Sequence, residues 1–237
     1  MPSRLHDLGL IAREVAMVGS RTLVAALAMV VVPRIAHAQT CLGLASFSAG
    51  TKQIAGTAEI ANDAQAYTGT LTFGSLARAF VGLSGGTISH EAFEGNTTTI
   101  GVSIGLQIPV GTGARVQMCP GLGVAFGFGP DNIGGFGTDL STRAEFFGLQ
   151  LGVAGGGSSG FRVVPTAGAA IAHTKADFEG GMFSATDHSD VYGVFTFGIG
   201  LVMNALSIQP GVDFTAGLAG NDPSFTLVVA LNFQRPR

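Results

Sequence analysis

Tryptophan is absent from this 237-residue chain, and tyrosine and cysteine occur twice each. Charged residues make up only 11% of it, where soluble domains carry about a quarter, while 46% of it is hydrophobic. No run of 18 apolar residues occurs beyond residue 40, which excludes membrane-spanning helices there. The 37 glycines follow no Gly-X-Y period, which excludes collagen, and no Lys-Ser or Lys-Thr follows them to make a phosphate loop. No C-x-x-C is present, which removes the usual thiol redox motif. Beyond residue 38 there are eight basic and thirteen acidic residues with no basic stripe, so nothing points to nucleic acid. A chain that is hydrophobic overall but never hydrophobic for long can still cross a membrane with strands.

The stretch 99–128 carries that reading. Ile100, Val102, Ile104, Leu106 and Ile108 alternate with Gly101, Ser103, Gly105 and Gln107. After a five-residue turn, Pro109 to Gly113, Val116, Met118, Pro120, Leu122, Val124 and Phe126 alternate with Arg115, Gln117, Cys119, Gly121, Gly123 and Ala125. A period of two is a β-strand with two unlike faces. In a soluble sandwich the face opposite the apolar one meets water and carries charge; here it is mostly Gly, Ala and Ser. Such faces suit an all-β fold, a transmembrane antiparallel up-and-down barrel with lipid outside and a narrow inside.

The first 38 residues read as a secretory signal: Arg21, the apolar run Leu23 to Val32, Pro33, and Ala36-His37-Ala38 as cleavage site. The polar stretch before Arg21 is long, so Met17 is an alternative start. Residues 39–51 form a periplasmic leader, 52–233 the barrel and 234–237 a tail. Ten strands are expected: 53–61, 66–74, 78–88, 97–108, 114–128, 142–154, 160–173, 190–203, 206–216 and 224–233. Eight is the alternative if the first two, whose outward faces are blurred by Ala and Gly, fail to close the wall. Connections 75–77, 109–113, 155–159 and 204–205 are tight, whereas 89–96, 129–141 and 174–189 are longer and polar, as periplasmic turns and external loops are. An even strand count puts both termini on the periplasmic side. All the acids after the signal except Glu59 and Asp213 fall on or beside the external loops. Pro120, Pro165 and Pro210 each follow a tight turn by a few residues, and lacking an N–H they belong at bulges or where pairing is incomplete.

Five groups are candidates for chemistry. Cys41 and Cys119 would pair in an oxidising compartment, joining the leader to the inner wall as a structural staple. Arg78, Arg115 and Arg162 follow three periplasmic turns and would form a basic ring favouring anions. His90 beside Ser89, His173, and Asp187-His188-Ser189 lie near the external rim, where His, Asp and Ser could activate water or a serine. Asp131, Asn132 and Asp139 offer oxygen ligands for Ca²⁺ but lack any known calcium-loop spacing, so no metal and no cofactor is assigned. Inward glycines (Gly101, Gly105, Gly121, Gly123, Gly148, Gly152, Gly168, Gly198, Gly200) line a wall of about 11 Å radius. They leave a bore that the leader, held by Cys41 and Cys119, is expected to occlude; the alternatives are an open channel and flattening of the wall.

The last strand places Phe225, Leu227, Val229, Leu231 and Phe233 on one face. A final amphipathic strand ending in an aromatic resembles the assembly signal of small outer-membrane β-barrel proteins of the porin-like or opacity-protein kind. Here four residues follow Phe233. The resemblance covers the whole mature chain. It implies residence in the outer membrane of a Gram-negative-type bacterium, contact with lipid and lipopolysaccharide, insertion by the barrel-assembly machinery and, often, no known activity. Lacking Trp, the chain must build its interfacial girdles from Phe. The expected role is structural, passive-pore or surface contact rather than enzymatic; the alternative is a rim enzyme acting on lipid or peptide through loop His, Asp and Ser.

Overall fold

The computed structural model describes residues 52–62, 64–74, 78–90, 95–110, 116–130, 139–153, 161–179, 188–217 and 223–233. All regular structure in them is strand: β1 Lys52–Ile60, β2 Ala64–Gly74, β3 Ala79–His90, β4 Asn96–Leu106, β5 Ile108–Val110, β6 Val116–Phe128, β7 Asp139–Val153, β8 Phe161–Glu179, β9 His188–Met203, β10 Leu206–Ala216 and β11 Ser224–Phe233. Consecutive strands pair antiparallel except β4 with β5, β1 pairs with β11, and both β4 and the short β5 pair with β6. Since β4 and β5 are one wall position interrupted at Gln107, the sheet closes as a ten-stranded up-and-down barrel. The first two strands do close the wall, so the eight-strand alternative is set aside. The signal, leader and tail lie outside the described residues.

The strand register fixes the size. Following paired residues from Met203 through Leu206, Leu231, Ile54, Leu71, Leu83, Val102, Val124, Glu145 and His173 returns to β9 at Val191, a stagger of twelve residues. Ten strands with that stagger tilt by about 40° and stand at a radius of about 10 Å. Every residue on this path except Glu145 and His173 is apolar.

The faces sort as their side chains require. Outward positions are exposed and apolar, as in Ile54, Leu71, Leu83, Ile100, Ile104, Leu122, Leu149, Phe197, Ile199 and Leu231. Phe73, Phe161 and Phe233 ring the end that carries the described chain ends; Phe126, Phe128 and Phe225 ring the other. Phenylalanine therefore takes both interfacial positions.

The three prolines act as pairing breaks without bulges. The β4–β6 register is the same on both sides of the gap opposite Pro120, which has no N–H to give to Leu106. The β9–β10 ladder skips Gln209 and Pro210 and resumes in the same register, and the β7–β8 ladder stops one pair short of Pro165. Pro109 is a correction: it lies in β5 opposite Gln117, not in a turn. The third long connection also shrinks, because β8 runs to Glu179 and β9 starts at His188. Beyond the apolar belt the outward face of β8 turns polar, with Lys175 and Asp177 exposed on it.

Candidate functional site

Two places could carry function, the bore and the outer face near the long-connection end. Inside, the end near the chain termini is lined by amides and hydroxyls. Gln53 Nε2 donates to Asn232 Oδ1 at 2.8 Å, Gln209 Nε2 to Thr166 Oγ1 at 3.0 Å, and Gln107 Nε2 to Gln117 Oε1. Towards the long-connection end the lining is mixed, with Glu59, Thr97, Thr142, Thr174, Asp213 and Thr215 buried beside an apolar cluster. Ala64, Ala66, Ile88, Ala144, Phe146, Ala172, Tyr192 and Val194 form one buried cluster, joining β2 and β3 to β7, β8 and β9 across the barrel.

This filling departs from the glycine-lined bore expected above. Phe80 lies directly across from Gly105, and Phe146 from Gly123, and in each case the ring occupies the space that a Cβ on the glycine would need. Glycine thus admits a large neighbour rather than leaving a void, an arrangement known as aromatic rescue. Thr196 covers Gly168 and Gln209 covers Gly198 in the same way. Side chains of the wall thus enter the space beside these glycines. Two carboxylates, Glu59 and Asp213, also point inward and are buried. Their inward phase was readable from the strand alternation.

Outside, each of three adjacent strands turns polar where the apolar belt ends. β7 reads Leu151, Leu149, Phe147 and then Glu145 and Arg143; β8 reads Ile171 and then His173 and Lys175; β9 reads Val191 and then Ser189. The register sets Glu145 opposite His173, and Lys175 opposite both Arg143 and Ser189. Ser189 also reaches His173 on the diagonal, the second-nearest pairing on a sheet face. Its Oγ is 2.8 Å from His173 Nε2, while His173 Nδ1 is 3.7 Å from Glu145 Oε2, and Glu145 Oε1 accepts from the Arg143 guanidinium. Beside Glu145 and His173 lies an apolar groove of about 640 Å³, walled by Val102, Ile104, Leu122, Val124, Phe147 and Ile171.

The expected site residues meet this geometry unevenly. His173 is a correction, since it stands inside β8 on the outward face rather than at a strand end. Glu145 lies inside β7, as the strand expected over 142–154 has it. Ser189 and His173 come together, whereas Asp187 lies outside the described residues and His90 and His188 end β3 and begin β9. Ser89 is exposed on β3. Arg78 and Arg162 are exposed at the end of the barrel near the chain termini, and Arg115 lies outside the described residues, so no ring is assembled among those described. Cys119 is buried at 3% exposure on the inner wall and is not a free thiol; Cys41 lies outside the described residues. Asp139 begins β7, while Asp131 and Asn132 fall outside. Phe225, Leu227, Val229, Leu231 and Phe233 all point outward from β11 and are exposed.

No protein-family profile matches the chain, and no curated protein does. Among solved structures, it is similar to the N-terminal β-barrel domain of OprF from Pseudomonas aeruginosa (16% identity, 78% of this chain and 98% of that one, TM-score 0.33). It is also similar to the translocator domain of the autotransporter NalP from Neisseria meningitidis (10% identity, 96% and 98%, TM-score 0.45) and to Neisserial surface protein A (12% identity, 78% and 95%, TM-score 0.36). The closed antiparallel barrel rests on this chain's own strand pairing.

Proposed function

We propose that the chain is an integral outer-membrane barrel with a sealed bore, whose role is structural or one of surface contact rather than solute passage. The observation that carries this is the apolar cluster of Ile88, Phe146, Tyr192 and Val194, which spans the bore between opposite walls. Water-sized voids lined by apolar groups stay dry, so such a layer resists ions even where the rest of the lining is polar. An outer face whose exposed positions are Ile, Leu, Val and Phe supports lipid as its surroundings. In this reading the long connections face outward, both termini are periplasmic, and residues 1–38 are removed on export. Cys41 is bonded to Cys119, and the barrel-assembly machinery reads the outward face of β11. Lipid and lipopolysaccharide are the standing partners.

Three measurements test the reading. Folded protein should migrate differently on gels before and after boiling, and should stay in the membrane fraction until detergent is added. In planar bilayers it should give no steady single-channel steps. Discrete conductance of porin size would end the sealed-bore reading, and solubility without detergent would end the membrane reading.

A further inference from the structure

We infer that Ser189, His173 and Glu145 form a hydrolytic site on the lipid-facing wall, taking a fatty-acyl ester of an anionic lipid as substrate. The inference rests on the reading that this face meets lipid. Three features point to it together. Ser189 Oγ lies 2.8 Å from His173 Nε2, so a neutral imidazole with its proton on Nδ1 can accept the hydroxyl proton. Glu145 Oε2 stands 3.7 Å from Nδ1 on the far side of the ring, where a carboxylate favours that tautomer and the imidazolium that follows. Separations of this kind tighten when substrate binds. The apolar groove ends at Glu145 and His173 and can take an acyl chain whose ester then lies at the edge of the apolar belt.

The chemistry closes with water as the only co-reactant. Ser189 Oγ bonds to the ester carbonyl carbon while its proton passes to His173 Nε2. The carbon–oxygen bond to the alcohol then breaks, and the imidazolium returns the proton to the leaving oxygen. Water, deprotonated by His173, attacks the acyl-serine; a fatty acid leaves and the serine recovers its proton. In a strand the amide N–H groups are committed to the ladder, so the oxyanion must be met by side chains. Lys175, cross-strand from Ser189, and Arg143 supply cations there, and both would hold a lipid phosphate. Glu145 is a positioning residue.

The test uses the full-length folded protein in detergent, with three probes: p-nitrophenyl butyrate, phosphatidylglycerol vesicles and lipopolysaccharide micelles. Wild type should release nitrophenol and fatty acid, and the last two probes separate a phospholipid from an acylated glycolipid as the source. Ser189→Ala should lower kcat by at least about 1,000-fold. Glu145→Gln should lower kcat about 10- to 100-fold with KM unchanged, and Glu145→Asp should recover part of it. A fluorophosphonate should add its mass to Ser189 in wild type. Each variant is checked for heat-modifiable migration. Heat-modifiable wild type with no release from any probe and no label at Ser189 overturns the site while leaving the barrel standing. Equal release by wild type and Ser189→Ala assigns the activity elsewhere and overturns it too.

Discussion

At the residue scale, the pairing of glycine with a cross-strand aromatic decides how the barrel is filled. Gly123 tolerates no side chain, because a Cβ there would meet both the Phe146 ring and the Val102 carbonyl oxygen. Gly123→Ala should therefore destabilise the barrel by about 1–3 kcal/mol through overpacking. Adding Phe146→Leu should recover only part of the loss, since the backbone carbonyl stays where it is. Urea unfolding in lipid vesicles measures both; full recovery in the double variant would mean that the ring alone sets the constraint. The same pair shows where inference from sequence stopped. The alternation put Gly123 on the inner face, but the small inner residues of β6 gave no hint that the matching position on β7 is a phenylalanine pointing inward. Which residue lies opposite another depends on register, and register comes from closure of the whole sheet.

At the scale of the element, β10 and β11 were legible to the residue. A two-residue turn at Asn204-Ala205 and Pro223 bound them, and their alternation is unbroken. β8 was not legible past His173, because an apolar outward face was the signal and that face ends at the lipid boundary. The hydrolytic candidates lie at that boundary, where the alternation of apolar residues no longer marks the outward face. The prolines give a test at this scale. Pro210 is exposed on the outer face, and the β9–β10 ladder skips it without shifting register. Pro210→Val restores a donor and supplies a strand-favouring side chain, so it should raise stability by about 0.5–1.5 kcal/mol. A loss of stability of that size would instead show that the fixed proline φ is needed for the local twist. The measurement is the same unfolding titration, compared with Pro120→Val.

At the scale of the whole molecule, the question is what closes the bore. Ten strands with a stagger of twelve give a wall wide enough for a channel if its lining were glycine and alanine alone. The lining falls into two layers. The layer near the chain termini is built of amides and hydroxyls, Gln53, Gln209 and Thr166 among them, which can hydrogen-bond any water that reaches them. The cluster above offers few hydrogen bonds of its own, the Tyr192 hydroxyl aside, so the seal is expected there. The leader, expected to plug the barrel from the periplasmic side, would meet the end where the lining is already polar. Deleting residues 39–51 should therefore leave conductance in a planar bilayer near zero. Truncating the apolar layer with Phe146→Ala and Tyr192→Ala together should open it and give discrete steps, provided that heat-modifiable migration shows the barrel still forms. If the deletion alone produces steps, the leader is the plug and the apolar layer is only packing. If the double truncation stays silent while the deletion combined with it conducts, the two act in series.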